Sequence, residues 1–349
     1  MNDEFWKKRD SSLDIIRIFA FMSVVSVHFF LNSEFYYAPV SGIRMYIMIL
    51  VRTFFMICVP MFLILSGYLC NKKTPSKKYF YGIIKVLSTY VLAGLCCLVV
   101  KSQIEDLNIL NWIIQIFNFT SAPYAWYIEM YIGLFLLIPF LNQMYHGLKS
   151  KKEKQGLLLV LIFLTILPVF INAKMQSIPN WWMEFYPVTY YMVGAYLSEY
   201  FPKTKTRNLI FLLLAHILLS GTYIYFRSYG QYFVNGFWNN WKSITNFITA
   251  ILVFMILKRI DTTTWNVKIK KGIQAISSVT LGAYLVSWIF DTIFYPTLNA
   301  KISSIPVRFN YFIPMVLLIS ASSLCLSAIL NQMNKVILKI SDKYLKPKI

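Results

Sequence analysis

The sequence predicts an all-α integral membrane protein with about ten transmembrane helices, from its composition, its apolar runs and its charge distribution. Of 349 residues, 58% are hydrophobic and 14% are charged, a balance that a soluble domain of this size could not cover with water-facing surface. A spanning helix needs about 20 mostly apolar residues, and the chain contains roughly ten such runs. The expected spans are 14–32, 46–70, 82–100, 126–145, 156–172, 186–201, 208–226, 243–257, 278–297 and 310–331. We therefore expect one transmembrane domain over residues 1–349, with an N-terminal arm at 1–13 and a basic tail at 332–349.

Basic residues are concentrated on one side of this ten-span arrangement. The chain has 34 Lys and Arg against 14 Asp and Glu, which gives a net charge of +20. The termini and the loops on their side hold 24 of the basic residues, the opposite loops hold 7, and Arg17, Arg52 and Lys85 lie within spans. Cytoplasmic loops carry the excess of Lys and Arg, so we predict cytoplasmic termini and a multi-pass protein of the plasma membrane. Because the charge is spread over short loops, the expected partner is the lipid bilayer and no nucleic acid.

The five cysteines give no sign of a metal site or a disulfide. Each lies in or at the end of an apolar run, and no histidine or second cysteine pair stands at metal-ligand spacing. They are Cys58, Cys70, Cys96, Cys97 and Cys325. We expect small buried hydrophobic residues at these positions and no metal cofactor.

Ionisable side chains inside the spans are the best pointers to function, because charge in hydrocarbon is costly and usually faces a cavity. They are Arg17, His28, Arg52, Lys85, Glu129, His216 and Asp291. Arg17 and His28 lie eleven residues apart on the first span. Eleven steps of about 100° return to within roughly 20° of the start, so both side chains share one helix face, about 16 Å apart along the axis. This face presents a cation near the cytosol and an imidazole in the outer half.

His28 and Glu129 form a candidate proton-transfer pair. Glu129 lies near the outer end of the fourth span, at a depth comparable to that of His28. An imidazole whose pKa is near neutral, beside a carboxylate that fixes its tautomer, is suited to taking a proton from a hydroxyl. The alternative is that Glu129 is a packing residue. The sequence therefore predicts His28 as general base and Glu129 as its partner.

The outward end also holds candidates for binding an acceptor molecule. Trp126 and Tyr127 open the fourth span, either as part of an aromatic belt or as a surface on which a sugar stacks. Arg52 and Asp291 lie at comparable depth, either as ligand-binding groups or as packed or snorkelling side chains. At the cytosolic end, Arg17 and Lys85 would suit a phosphorylated ligand that enters from inside, with ordinary positive-inside charge as the alternative.

Two segments carry a family resemblance. Residues 13–20, LDIIRIFA, contain Arg17, and ten further residues separate it from His28; residues 59–68 read VPMFLILSGY. In both, the chain resembles the acyltransferase-3 family of bacterial multi-pass membrane acyltransferases. Trp126 and Tyr127 with Pro139, and residues 278–285 (SVTLGAYL), are similar to two further blocks of that family.

The resemblance implies a ten-helix core that moves an acyl group, usually acetyl, from cytoplasmic acyl-CoA to a carbohydrate hydroxyl at the far face. Together with the polar residues within the spans, it leads us to expect catalysis at His28 with Glu129, and binding of acetyl-CoA by Arg17, Lys85, Ser66 and Tyr68. Binding of the cell-surface carbohydrate is expected at Arg52, Trp126, Tyr127 and Asp291.

The chain departs from the family pattern at two places. The family often has an Arg-rich stretch at the start of the third span, where this chain keeps only Lys85, and often ends the ninth-span block in His, where this chain has Ser287. The short basic tail leaves no room for the soluble esterase-like domain of many relatives, so we expect direct delivery of the acyl group or transfer to a separate acyl-accepting protein. A transporter or exporter of a sugar or lipid is the alternative function, since ten helices with polar residues at mid-depth also describe many carriers.

Overall fold

The computed structural model describes residues 9–172, 176, 178–236 and 238–344, which form a bundle of helices joined mostly by short loops. In chain order the helices are α1 (Ser12–Asn32), α2 (Gly42–Phe55), α3 (Cys58–Cys70), α4 (Lys77–Tyr81), α5 (Ile83–Lys101), α6 (Ile109–Phe117), α7 (Trp126–Gly147), α8 (Lys151–Thr165), α9 (Leu167–Ile171), α10 (Tyr186–Glu199), α11 (Thr206–Ser228), α12 (Ile244–Lys258), α13 (Val267–Lys301), α14 (Ile305–Arg308) and α15 (Phe312–Tyr344). Three 3₁₀ turns cover Phe35–Tyr37, Asn180–Phe185 and Phe309–Tyr311. These described residues contain no β-strand, only isolated bridges that join Pro39 to Tyr232 and Val40 to Tyr229.

The prediction of an all-α multi-pass membrane protein is confirmed. Each expected span coincides with helix, and eight stretches of the described chain are long and apolar enough to cross a bilayer. The expected spans at 186–201 and 243–257 correspond to α10 and α12, which have only 14 and 15 residues. These two helices are shorter than the roughly 20 residues that a bilayer requires, so the count of ten spans and the cytoplasmic termini stay predictions.

The expected second span, 46–70, is two helices rather than one. It is interrupted at Met56 and Ile57, between α2 and α3. Pro60 lies in the first turn of α3, where its missing N–H is tolerated. In an unbroken helix its ring would collide with the carbonyl of Met56, four residues earlier. The break leaves Arg52 in the last turn of α2, next to the interior of the bundle.

Helix α10 crosses the centre of the protein. Ten consecutive residues of it, 186–195, are buried. Along this stretch the helix is therefore surrounded by other parts of the protein. It packs on α3 through two glycines, Gly67 and Gly194. A Cβ atom at Gly67 would lie 2.8 Å from the backbone carbonyl carbon of Tyr191 and 3.0 Å from the backbone nitrogen of Ala195. The two backbones are therefore in direct contact, as small residues allow in membrane helices.

Helix α1 packs against α3, α12, α13 and α15, and its first turn is anchored by polar contacts. The backbone N–H of Ser11 donates to the hydroxyl of Thr262 at 3.1 Å, and the Lys258 ammonium lies 2.7 Å from the Asp10 carboxylate. These contacts fix the start of α1 against the loop between α12 and α13. The cysteines are all free, and Cys58 and Cys97 are buried as expected, whereas Cys325 is exposed on α15.

Candidate functional site

A cavity of about 810 Å³ runs between α1, α3, α7, α13 and the loop that precedes α12. Arg17 lines it at one end, here called the Arg17 end, and His28 lines it towards the opposite end, here called the His28 end. The expectation that one face of α1 presents both side chains is confirmed, because both reach the same cavity. Cys70 and Val86 are also at the Arg17 end, and Trp126 and Trp241 are at the His28 end.

The His28 ring is held between an aromatic ring and a carboxylate. Its centroid lies 3.9 Å from that of Tyr124, with 39° between the ring planes. Its Nδ1 lies 3.7 Å from Oδ2 of Asp291 and is buried without a hydrogen-bond partner. This distance is longer than a hydrogen bond, but it is short enough for the carboxylate to stabilise a protonated imidazole. Since Nδ1 is buried, Nε2 is the ring nitrogen left to serve a ligand in the cavity.

Asp291 is fixed in turn by Tyr124. The Tyr124 hydroxyl donates to Oδ2 of Asp291 at 2.8 Å, and only 3% of the Asp291 residue is exposed. Asp291 lies beside the imidazole and is not among the residues that line the cavity, so the geometry gives no support to its expected contact with an acceptor. Asp291 thus contacts both His28 and Tyr124, while the Tyr124 ring itself lines the cavity.

The expected pairing of His28 with Glu129 is also wrong. Glu129 is exposed on α7 and lies outside the cavity lining, and the carboxylate next to His28 is Asp291. Both acidic residues were expected at the depth of His28. They differ in the helix face on which they lie: Glu129 is on the outer face of its helix, whereas Asp291 is on a face that packs inside the bundle.

Arg17 is held at its end of the cavity by two contacts. Its Nη1 donates to the Ser277 hydroxyl at 2.9 Å and lies 3.5 Å from Oδ1 of Asp14. Asp14 is itself paired with Arg9 at 2.7 Å, so the Asp14 charge is shared between two guanidinium groups. One third of the Arg17 side chain is exposed, at 33%. Arg17 is thus a partly exposed cation in the cavity lining.

The other expected donor-binding residues divide into two groups. Ser66 lines the cavity, with its hydroxyl bonded to the backbone carbonyl of Phe62 at 2.8 Å. Tyr68 does not line it, because its ring packs on Phe254 with centroids 5.6 Å apart. Lys85 is exposed and also lies outside the lining. The structure therefore places only Ser66 of these three where a ligand in the cavity could touch it.

The expected acceptor-binding aromatics do line the His28 end. Trp126 stacks on Trp241 with centroids 4.5 Å apart and an interplanar angle of 24°. Tyr127 packs against Phe62 and Tyr284, with centroids 5.7 Å and 6.2 Å away. Arg52 lines the same end, so three of the four expected acceptor-binding residues reach the cavity.

Comparison with known proteins identifies the family of the chain. The family model Acyl_transf_3, described as an acyltransferase domain, matches residues 10–332. The chain belongs to the acyltransferase-3 family. No curated protein and no solved structure gives a significant match to the chain. Membership of this family supports a membrane acyltransferase activity in general, and its matched region includes every residue that lines the cavity.

Sequence reasoning did not predict three contacts around this cavity. Tyr124 lies in the turn before α7, and no local pattern marks its hydroxyl as a partner of Asp291. Trp241 and the amides Asn235, Asn239 and Asn240 line the cavity from a loop far away in sequence. The sequence shows the aromatic and amide character of this loop but not which helices it faces. The position of Asp291 could have been inferred, because it lies four residues after Ser287 and hence on the same face of α13. Ser287 is fully buried and its hydroxyl bonds to the backbone carbonyl of Tyr284.

Proposed function

We propose that this protein is an O-acyltransferase that moves an acyl group, with acetyl as the expected one, from cytoplasmic acyl-CoA to a hydroxyl of a cell-surface glycan or its lipid-linked precursor. The observation that carries the proposal is the single cavity, which is lined by a guanidinium at one end and by an imidazole about 16 Å along the same helix. A donor held at the Arg17 end and an acceptor held at the His28 end would meet within it. The plasma membrane is the proposed location, because it separates the two reagents.

At the Arg17 end, the guanidinium suits a phosphate of CoA, since its planar fork can donate two parallel hydrogen bonds. Arg17 is held by Asp14 and Ser277, and a third of its side chain stays exposed. The apolar wall between the ends, which includes Val24, Val27 and Leu65, suits the extended arm that carries the thioester.

At the His28 end, Nε2 of His28 takes the proton of the acceptor hydroxyl, and the hydroxyl oxygen attacks the thioester carbonyl carbon. The C–S bond then breaks, and the thiolate of CoA takes the proton back from the imidazole. The products are the acyl ester and CoA. Asp291, 3.7 Å from Nδ1, stabilises the imidazole while it is positively charged. Trp126 and Tyr127 offer the aromatic faces on which a sugar ring packs.

The test is incubation of the purified protein in liposomes with radiolabelled acetyl-CoA and a glycan fraction from the source cells. We expect label in the glycan and release of CoA, and neither with the His28→Ala variant at matched abundance. Release of CoA without label in the glycan would indicate a separate acyl-accepting protein. Neither label nor CoA release with the wild type would refute the proposal.

Mass spectrometry of surface glycans separates this proposal from the transporter alternative. If the protein is an acyltransferase, its deletion leaves the amount of polymer unchanged and lowers the mass of the glycan by one acyl unit. If the protein is a carrier, its deletion removes the polymer itself. The two readings therefore predict opposite changes in polymer level.

A further inference from the structure

Arg52 is a buried cation in the wall of the cavity at its His28 end. Only 4% of the residue is exposed, and it lies in the last turn of α2, just before the break at Met56. Its Nε donates to the hydroxyl of Tyr36 at 2.8 Å. Its guanidinium carbon lies 4.5 Å from the centroid of the Phe233 ring and 5.4 Å from that of Tyr36. The side chain is thus held in one orientation by two aromatic rings.

The charge of Arg52 is not neutralised by the protein. In the part of the chain that the structure describes, no carboxylate lies within 4.0 Å of this guanidinium. Its Nη1 is buried and has no hydrogen-bond partner. The contacts with the aromatic rings offset only part of the free-energy cost of removing this cation from water. A buried cation normally has a partner of opposite charge.

A second buried arginine shows how this fold treats a structural guanidinium. Arg308 is equally buried, with 4% of the residue exposed. It forms an ion pair with Glu34 at 2.7 Å and donates to the backbone carbonyls of Ile302 and Ser33 at 2.7 Å and 2.9 Å. Arg308 therefore has both its charge and its donors satisfied. Arg52 differs from it in having no carboxylate partner among the described residues, in leaving its buried Nη1 without a hydrogen bond, and in lining a cavity.

The residues around Arg52 indicate which kind of ligand would bind its guanidinium. The cavity wall at this end is otherwise uncharged and amide-rich, with Asn235, Asn239 and Asn240 in one loop. Amides and aromatic rings suit the hydroxyls and faces of a sugar, and a lone guanidinium suits one anionic oxygen group. We propose that Arg52 binds a negatively charged group of the acceptor, a carboxylate or a phosphate, so that the acceptor is an anionic glycan or a phosphate-linked sugar. This inference rests on the proposed function for the identity of the ligand as acceptor.

The test measures binding without acyl-CoA, so that it is independent of whether acyl transfer is found. The probes are glucuronate, glucose 1-phosphate and glucose, which share a sugar ring and differ in charged group. Purified full-length protein in nanodiscs is titrated with each, and tryptophan fluorescence is followed because Trp126 and Trp241 line the same cavity. Thermal shift provides a second measure of binding. Arg52→Gln removes the charge and Arg52→Lys keeps it without the planar fork.

Arg44→Gln is the matched control, because Arg44 lies on the same helix but is exposed and outside the cavity lining. We expect at least one of the two anions to bind about tenfold or more tightly than glucose. This preference should be lost in Arg52→Gln, partly kept in Arg52→Lys and unchanged in Arg44→Gln. A preference for glucuronate indicates a sugar carboxylate, and a preference for glucose 1-phosphate indicates the phosphate of a carrier.

Three outcomes would overturn the proposal. The first is equal binding of glucose and both anions, the second is a preference for anions that persists in Arg52→Gln, and the third is no binding of either anion by both measures. The comparison of the three probes on wild-type protein decides the charge preference even where Arg52→Gln fails to fold.

Discussion

Replacing Asp291 with asparagine tests whether this carboxylate is the partner of His28. The substitution keeps the shape of the side chain and removes its charge, 3.7 Å from Nδ1 of the imidazole. Two unit charges at this distance interact by about 4.5 kcal/mol at an effective dielectric constant of about 20. Since about 1.4 kcal/mol corresponds to a factor of ten in rate, complete loss of this stabilisation would slow transfer by about 10³-fold. The imidazole carries only part of its charge in the transition state, so we expect a loss of about 10²–10³-fold.

The assay is acyl transfer from labelled acetyl-CoA in proteoliposomes, with protein abundance matched between variants. A partner that acts only through His28 lowers kcat and leaves the KM for acetyl-CoA unchanged, whereas a general folding defect lowers the amount of active protein. Glu129→Gln is the matched control, because it also removes one carboxylate from a membrane helix but acts at an exposed position. We expect it to keep the wild-type rate. Wild-type transfer by Asp291→Asn, or an equal loss in Glu129→Gln, would refute the assignment.

Three further predictions follow from the same geometry. His28→Ala should reduce acylation by about 10²–10⁴-fold at unchanged protein level, and a wild-type acylation rate would contradict its role as general base. Arg17→Ala should strongly weaken acyl-CoA binding measured by calorimetry and Arg17→Lys should recover part of it, whereas Lys85→Ala, at an exposed position outside the cavity, should bind like the wild type. Gly67→Ala should destabilise the protein by about 1–3 kcal/mol or more in thermal unfolding, because the new Cβ meets the α10 backbone, and Gly133→Ala, at a position with nothing within 4 Å, is its control.

The relation between Arg17 and His28 could be predicted from the sequence because it depends only on helix periodicity. One helix fixes both the distance and the shared face, with no contribution from the rest of the fold. Pro60 disfavours an unbroken helix at this point of the second span. Pro139 and Pro296 lie inside α7 and α13 without interrupting them, so a proline by itself does not predict the break.

The partner of His28 could not be found in this way. Glu129 and Asp291 lie on different helices, and the depth of each in the membrane can be read from the sequence. Whether Glu129 or Asp291 faces α1 depends on which of α7 and α13 packs beside α1, and on how each of these helices is rotated about its axis. In a chain that is apolar on nearly all sides, the hydrophobic pattern does not mark the inward face of a helix. The contacts of Tyr124 and Trp241 depend on loops, whose course the pattern of apolar residues does not determine.

Helices α1 and α13 hold both ends of the site. At one end Arg17 donates to Ser277, and at the other His28 lies beside Asp291. Both contacts join the same two helices, which pack along their length. A sliding motion of α1 against α13 would disturb the two contacts together, so the contacts favour one register between these helices, while α1 alone sets the distance between the guanidinium and the imidazole. In the proposed reaction the acyl group must therefore cross the cavity on the flexible arm of its donor, while the helices that carry Arg17 and His28 keep their register.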